Sequence, residues 1–529
     1  MASCSCSANA IERMRSTTVI KPGRAAWLLV VGLVVAAPAV PAADVLLQQV
    51  QVYDGRGGAP FMADVRVRGT RITEVGPHLP PAVGEVVLDE HGLALAPGFI
   101  DAHSHADFGL FDDLDAATVS RQGVTTVVVG QDGESTFPLH DYLARLQVTP
   151  PAINIASFAG HATLRVQVMG KDLYRASTLP EQTRMAALLH QEMLDGAFGL
   201  STGLEYEQGH FATTEEVVAL SKVAAASHGS YLSHVRDESN KVFESFDEVL
   251  RIGREAGLPV GITHIKLGAT STWHLAAKRM PAYFAQARRE GVQLTPDVYP
   301  YTYWHSTLRV VVPDRDFFNP EKVARSLEEN GGAAGILLAS YQPDPRLAGK
   351  TIEQIAAIWQ VTPVQAYMRM VKETEPEVES GQSMEDIIGT SMSEDDVRWF
   401  VAHPEIAFCS DGALHGAHPR GAGAFPRILG HYVREEKVLS LPEAIRKMTS
   451  LPAARLGLSD RGRIAAGYVA DLVIFDPATI IDRSTIEHPE APPVGIAAVM
   501  VSGEWVIREG VVTGRHPGQA LRGPGYQTR

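Results

Sequence analysis

Cysteine is scarce: 529 residues carry three, Cys4, Cys6 and Cys409. The first two precede an apolar N-terminal run, so a chain cleaved behind that run keeps Cys409 alone. One cysteine builds neither an intrachain disulfide nor a thiolate metal cluster. Any bound metal must then be held by histidine and carboxylate. Positive charge is in deficit as well, with 47 Lys and Arg against 61 Asp and Glu for a net −14. That balance argues against nucleic acid or an anionic membrane as the main partner, since both would repel the chain. Repeats and low-complexity tracts are absent. A serine hydrolase is poorly supported, since no Gly-x-Ser-x-Gly elbow is placed between a strand and a helix with an acid and a histidine following in order.

Long apolar runs are also missing. The run from Ala25 to Ala37 (AAWLLVVGLVVAA) is shorter than the ~20 residues a spanning helix needs. Lys21 and Arg24 precede it, and small residues follow through Ala42 and Ala43. A basic flank, a short apolar core and a small-residue zone are the parts of a secretory signal. Residues 1–43 are therefore expected to be a signal peptide, with the mature protein periplasmic or secreted and not stably associated with a membrane. The remainder, at 45% hydrophobic and 20% charged residues over the whole sequence, has the composition of a soluble globular enzyme.

Short period-two runs lie near both ends of the chain, for example 63–68 and 71–75 on one side and 471–475 and 498–502 on the other. They suggest one small β-sandwich assembled from residues 44–97 and 461–529. Between them, over 98–460, strand-like runs alternate with helical stretches such as 180–195 and 214–228, the pattern of parallel α/β structure. Candidate strands at 98–103, 125–129, 153–158, 199–202, 231–234, 260–264, 293–298 and 406–410 make eight, the number a (β/α)8 barrel requires. The stretch from about 317 to 401 is polar and reads as a helical insertion, a lid between the seventh and eighth strands.

In such a barrel the chemistry sits at the C-terminal ends of the strands. The first candidate strand ends in Asp101-Ala102-His103-Ser104-His105, and residues two apart on a strand face the same side. The fifth ends at His234, the sixth at His264 and the eighth at Asp411. Any one of these is more often a core or surface residue than a ligand. Their shared topological position is what makes a metal site of them.

The stretch from Ala96 to His105 (APGFIDAHSH) resembles the first-strand signature of the amidohydrolase superfamily. Further motifs resemble its D-aminoacylase (N-acyl-D-amino-acid deacylase) branch: Gly199–Tyr206 (GLSTGLEY), Ser233–Glu238 (SHVRDE), Thr263–Lys266 (THIK), Asp297–Tyr301 (DVYPY) and Ser410–Gly412 (SDG). The resemblance implies a (β/α)8 barrel beside a β-sandwich formed by both termini. It also implies a site for one or two zinc ions, with His234 and His264 on the tighter position and His103, His105 and Asp411 on the second. Asp411 would be the catalytic acid and base, since a carboxylate there can take a proton from the attacking water and return it to the departing nitrogen. The substrate class would be small N-acyl-D-amino acids.

One departure stands out. The branch typically places a bridging cysteine after the second strand, where this chain has Gly130-Gln131-Asp132-Gly133. Two carboxylates can replace it, Asp132 at the same place or Glu205 after the fourth strand. Glu205 is favoured, because other superfamily branches bridge their metals from that strand, and a single zinc with no bridge is the simpler competing arrangement. An oxygen bridge is harder than sulfur and would widen tolerance toward Mn or Co.

For the substrate carboxylate, Lys266 lies on the same strand face as His264, and the resemblance joins it to Tyr299 and Tyr301; Arg420 is an alternative cation. His161 would line the pocket from the third strand's loop. His415 and His418 are not needed as ligands, and Cys409 reads as a small buried hydrophobe. Two rival readings are carried: another amidohydrolase activity (cyclic amidase, dipeptidase or other N-deacetylase), and a non-catalytic interaction protein on the same fold. The intact histidines and Asp411 weigh against the second.

Overall fold

A computed structural model describes residues 44–375 and 384–528; the expected signal at 1–43 lies outside them. The eight barrel strands are Phe99–Asp101, Val124–Val129, Asn154–Ser157, Gly199–Gly203, Ser230–His234, Val260–Ile262, Asp297–Val298 and Ala407–Phe408. Every ladder among them is parallel. The ring closes through backbone bonds that include Phe198 N to Ser157 O, Thr295 N to Val260 O, and Ala102 N to Phe408 O. Parallel strands covered on both faces need apolar residues throughout. The second strand, VTTVVV, is accordingly buried at all six positions.

Strands from both ends of the chain share one nine-stranded sheet, joined where Ala94–Pro97 runs antiparallel to Leu472–Phe475. The sheet curls back on itself, so that its Arg71 edge bridges to Val469. Alternate residues serve two cores. Leu472 and Ile474 fill the interior of this domain, while Val473 and Phe475 join the barrel core, where the Phe475 ring lies 6.4 Å from that of Phe99.

The insertion differs from its sequence expectation. It is mixed α/β: Tyr303–Ser306, Glu385–Thr390, Ile336–Tyr341 and Lys350–Thr351 form a four-stranded sheet in that order, packed with helices such as Pro320–Glu329 and Pro363–Glu373. It has its own core around Trp304, Leu338 and Tyr367. The ILLASY strand was obscured because a short apolar run between helices has no periodicity that separates strand from buried helix.

The C-terminal segment closes the opposite end of the barrel. Leu521 N donates to Ile155 O at 2.8 Å, and Gly523 N to Gly196 O at 2.8 Å. A Cβ on Gly523 would stand 2.1 Å from Ala197 O, so Gly523→Ala must push this strap off the barrel. The expected loss is about 1–3 kcal/mol in urea unfolding, the usual cost of overpacking, with zinc content unchanged. An unaltered midpoint would show that the strap does not hold the barrel floor.

Candidate metal centre

The backbone beyond the strand ends sets the site. Asp101 Oδ1 accepts from His103 N at 3.3 Å and from Ser410 N at 2.8 Å. Asp411 N then donates to His103 O, and His105 N to Gly412 O, both at 2.9 Å. The first and eighth segments are thus stitched together past their strands, which fixes both histidines relative to Asp411. Asp132, His264 and Asp411 have φ of 54°, 34° and 51°, a left-handed conformation that costs non-glycine residues of order 1–3 kcal/mol and concentrates at functional sites. The Asp132 loop is seated directly on the fourth strand's loop, where a Cβ on Gly203 would come within 2.1 Å of Asp132 O.

Two groups of donors result. His103 Nε2, His105 Nε2 and Asp411 Oδ1 form a nearly equilateral triangle with sides of 3.3, 3.4 and 3.4 Å. The edge of a tetrahedron around zinc with ~2.1 Å bonds is about 3.4 Å, so this triangle has the dimensions of one face of such a site. His234 Nδ1 and His264 Nε2 lie 3.1 Å apart and form the second group. Asp132 stands between the groups, with Oδ1 at 3.5 Å from His103 Nε2 and 3.4 Å from His264 Nε2, and Oδ2 at 3.3 Å from His105 Nε2. Burial opposes ionisation of both aspartates. The Arg420 charge and His264 nevertheless hold Asp411 well below the usual carboxylate range, and His103 and His264 do the same for Asp132. Ionised carboxylates and imidazoles converging at metal-ligand spacing can hold a divalent cation.

Glu205 occupies a different place from the bridging one expected of it. Its Oε2 lies 2.9 Å from His234 Nε2, the nitrogen on the far side of the ring from the cluster. It therefore fixes the ring's orientation and tautomer, while Asp132 takes the central position. The strand-end position is the same for both residues in the sequence; the left-handed turn at Asp132 is what aims that side chain inward.

Lys266 donates to both Glu238 oxygens at 2.7 Å and lies 2.8 Å from His264 Nδ1. It is buried and engaged, so it supports His264 and offers no free charge to a substrate. Glu238 was missed as a functional candidate, although its i+4 spacing from His234 inside the SHVRDE motif was a usable signal. Glu238 also approaches His264 Nδ1 at 3.3 Å, but the Lys266 ammonium already occupies that side and would repel a metal there. Asp297 accepts from His264 N at 2.7 Å and is itself held by Arg455 Nη1 at 2.7 Å.

Arg420 lies beside the cluster, with Nη1 2.6 Å from Asp411 Oδ2 and the guanidinium 4.9 Å from the Tyr299 ring centre. Tyr299 Oη is buried with no hydrogen-bond partner among the described residues. Tyr301 packs against His418. His418 uses both nitrogens, one toward Tyr303 O and one accepting from Arg420 N. His161 is corrected: at the start of the helix His161–Met169 its ring turns inward to Glu216 at 2.9 Å, and Arg165 binds the same carboxylate. A fully buried ring held in that cluster cannot touch substrate. His415 is exposed near Asp113 and Glu490, and Cys409 is buried.

The amidohydrolase family model matches residues 86–300 and 348–507, and the chain belongs to that family, in its D-aminoacylase branch. It is 36% identical over 512 residues to the D-aminoacylase of Alcaligenes xylosoxydans xylosoxydans, covering 90% of this chain and 97% of the relative. It is 34% identical over 503 residues to the N-acyl-D-glutamate deacylase of the same organism, covering 90% and 96%. The crystal structure of the Bordetella bronchiseptica N-acyl-D-glutamate deacylase, complexed with zinc and a phosphonate mimic of the tetrahedral intermediate, superposes with a TM-score of 0.80 at 33% identity over 91% of this chain and 99% of that one.

Glu238→Gln leaves the Lys266 ammonium beside His264 without its counter-charge. Zinc affinity, measured by chelator competition on the stripped protein, is expected to fall about 10–100-fold, as when other groups that orient a metal ligand are lost. Unchanged affinity would mean that Glu238 and Lys266 do not position His264.

Proposed function

We propose that this protein is a zinc-dependent hydrolase of linear amides that converts an N-acyl-D-amino acid to the D-amino acid and a carboxylate. The observation that carries the reading is the buried convergence of His103, His105, His234, His264 and Asp411 on the C-terminal end of the barrel, at metal-ligand spacing. The D-amino-acid substrate is supported by the relatives' activities. Zinc held there, as one ion or two, supplies a Lewis acid that polarises the scissile carbonyl and acidifies the attacking water.

Asp411 is the acid and base. Oδ1 faces His103 and His105, and Oδ2 faces Arg420. The carboxylate takes the water's proton as the C–O bond forms and delivers it to the amide nitrogen as the C–N bond breaks. Arg420 keeps Asp411 ionised before substrate arrives and is also a buried cation able to meet the substrate α-carboxylate. Tyr299, whose buried hydroxyl has no partner among the described residues, is the second donor for that carboxylate or for the acyl oxygen. Tyr303, from the insertion's sheet, packs on His418 beside Tyr299.

Export is the second part of the proposal. The basic flank at Lys21 and Arg24, the apolar run behind it and Ala42–Ala43 support cleavage before a periplasmic or secreted enzyme. Among the described residues no helix is long and apolar enough to cross a membrane.

A panel of N-acetyl-D- and N-acetyl-L-amino acids and a hydantoin, assayed after zinc reconstitution, tests the substrate class. Turnover confined to D-acyl substrates is expected. Preference for the hydantoin or for L-substrates would contradict it. Asp411→Asn should lower kcat by about 10²–10⁴-fold, the range for a positioned general acid–base, and most of the activity surviving would remove Asp411 from the mechanism. Tyr299→Phe should raise KM with little change in zinc content.

A further inference from the structure

Asp132 is the one carboxylate among the described residues that lies within 4.0 Å of all four cluster imidazoles. Its neighbours divide in a particular way. Oδ1 has His103 on one side and His264 on the other, and Oδ2 has His105 at 3.3 Å and His234 at 4.0 Å. Each oxygen therefore has one imidazole of each group beside it, and the carboxylate lies on the seam between the groups. Oδ1 is buried with no hydrogen-bond donor among the described residues. A buried carboxylate oxygen without a donor is unfavourable unless a cation reaches it.

Other acids are placed elsewhere. Glu205 approaches the outer nitrogen of His234, and Glu238 is bound to Lys266. Asp411 lies against His103 and His105, with Arg420 on its second oxygen. The backbone holds Asp132 on the seam: Ser201 Oγ donates to Gly130 O at 2.6 Å and accepts from Gly133 N at 3.2 Å. Both ends of the turn are thus fastened to the fourth strand.

Resting on the metal-site reading above, we propose that Asp132 is the shared ligand of a two-cation centre, with His103, His105 and Asp411 completing one position and His234 and His264 the other. Every donor in this set is an imidazole nitrogen or a carboxylate oxygen. Sulfur is absent from it, since the one cysteine of the described residues, Cys409, is buried and not among the cluster's donors. A nitrogen and oxygen set with two carboxylates accepts Mn2+ and Co2+ as well as Zn2+, whereas a thiolate bridge would favour zinc. The oxygen bridge therefore makes both positions fillable by the harder ions.

The test reads metal content and needs no substrate, so its failure is separable from failure of the proposed activity. Chelator-stripped full chain is loaded separately with zinc, manganese and cobalt, desalted, and assayed for metal per protein by plasma mass spectrometry. Wild type is expected to retain about two equivalents of each, and the manganese form to show the electron paramagnetic resonance signal of a coupled pair. Asp132→Asn preserves a residue that tolerates the left-handed turn and is expected to hold one zinc and to lose manganese at least tenfold. Asp132→Cys should regain two zinc but not manganese, and its cobalt form should acquire a thiolate charge-transfer band. Glu205→Gln should keep two. One equivalent in wild type, two manganese ions in Asp132→Asn, or loss of an ion in Glu205→Gln would each overturn the proposal. If Asp132→Asn fails to fold, the coupled signal of wild type and the Asp132→Cys band decide.

Discussion

The arrangement depends on an electrostatic conflict that the protein alone does not resolve. Four imidazoles and two ionised carboxylates from five strand ends, all buried except the half-buried His105, have donor atoms facing one another at 3.1–3.5 Å. Facing lone pairs repel at that distance, and protons on every imidazole would concentrate charge where burial penalises it. A divalent cation reconciles all of these groups at once. The left-handed turns at Asp132, His264 and Asp411 are local costs that the closed barrel enforces to aim the ligands inward.

Around this cluster, counter-charges are assigned in separate sectors. Glu205 fixes His234 from outside, and the Glu238–Lys266 pair with Asp297 fixes His264. Arg420 takes the second oxygen of Asp411. The sectors keep apart the work of holding cations and the work of binding substrate. Arg420 and the unpartnered Tyr299 hydroxyl stand together beside Asp411.

Much of this was legible in the amino-acid sequence. The eight strands of the barrel appear as apolar runs because parallel strands are buried on both faces. His103, His105, His234, His264 and Asp411 were recoverable because each terminates a run. Four features were not legible. The sheet of the insertion is built from a short strand, ILLASY, whose pattern does not distinguish it from a buried helix. Choosing between Asp132 and Glu205 required φ at Asp132, at which Gly130 and Gly133 on either side only hint. His161 adjoins a strand end, but helix geometry turns its ring toward Glu216. Lys266 points to the correct strand face, yet whether its charge is free depends on Glu238, which comes from the loop after the preceding strand.

The central claim is that divalent cations occupy the space between these side chains. Anomalous diffraction from zinc-loaded crystals, recorded on both sides of the zinc absorption edge, tests it most directly. The account predicts anomalous peaks bounded by His103, His105 and Asp411 and by His234 and His264, with Asp132 between them. Full zinc loading with peaks only at surface histidines such as His415, and none within this cluster, would contradict it.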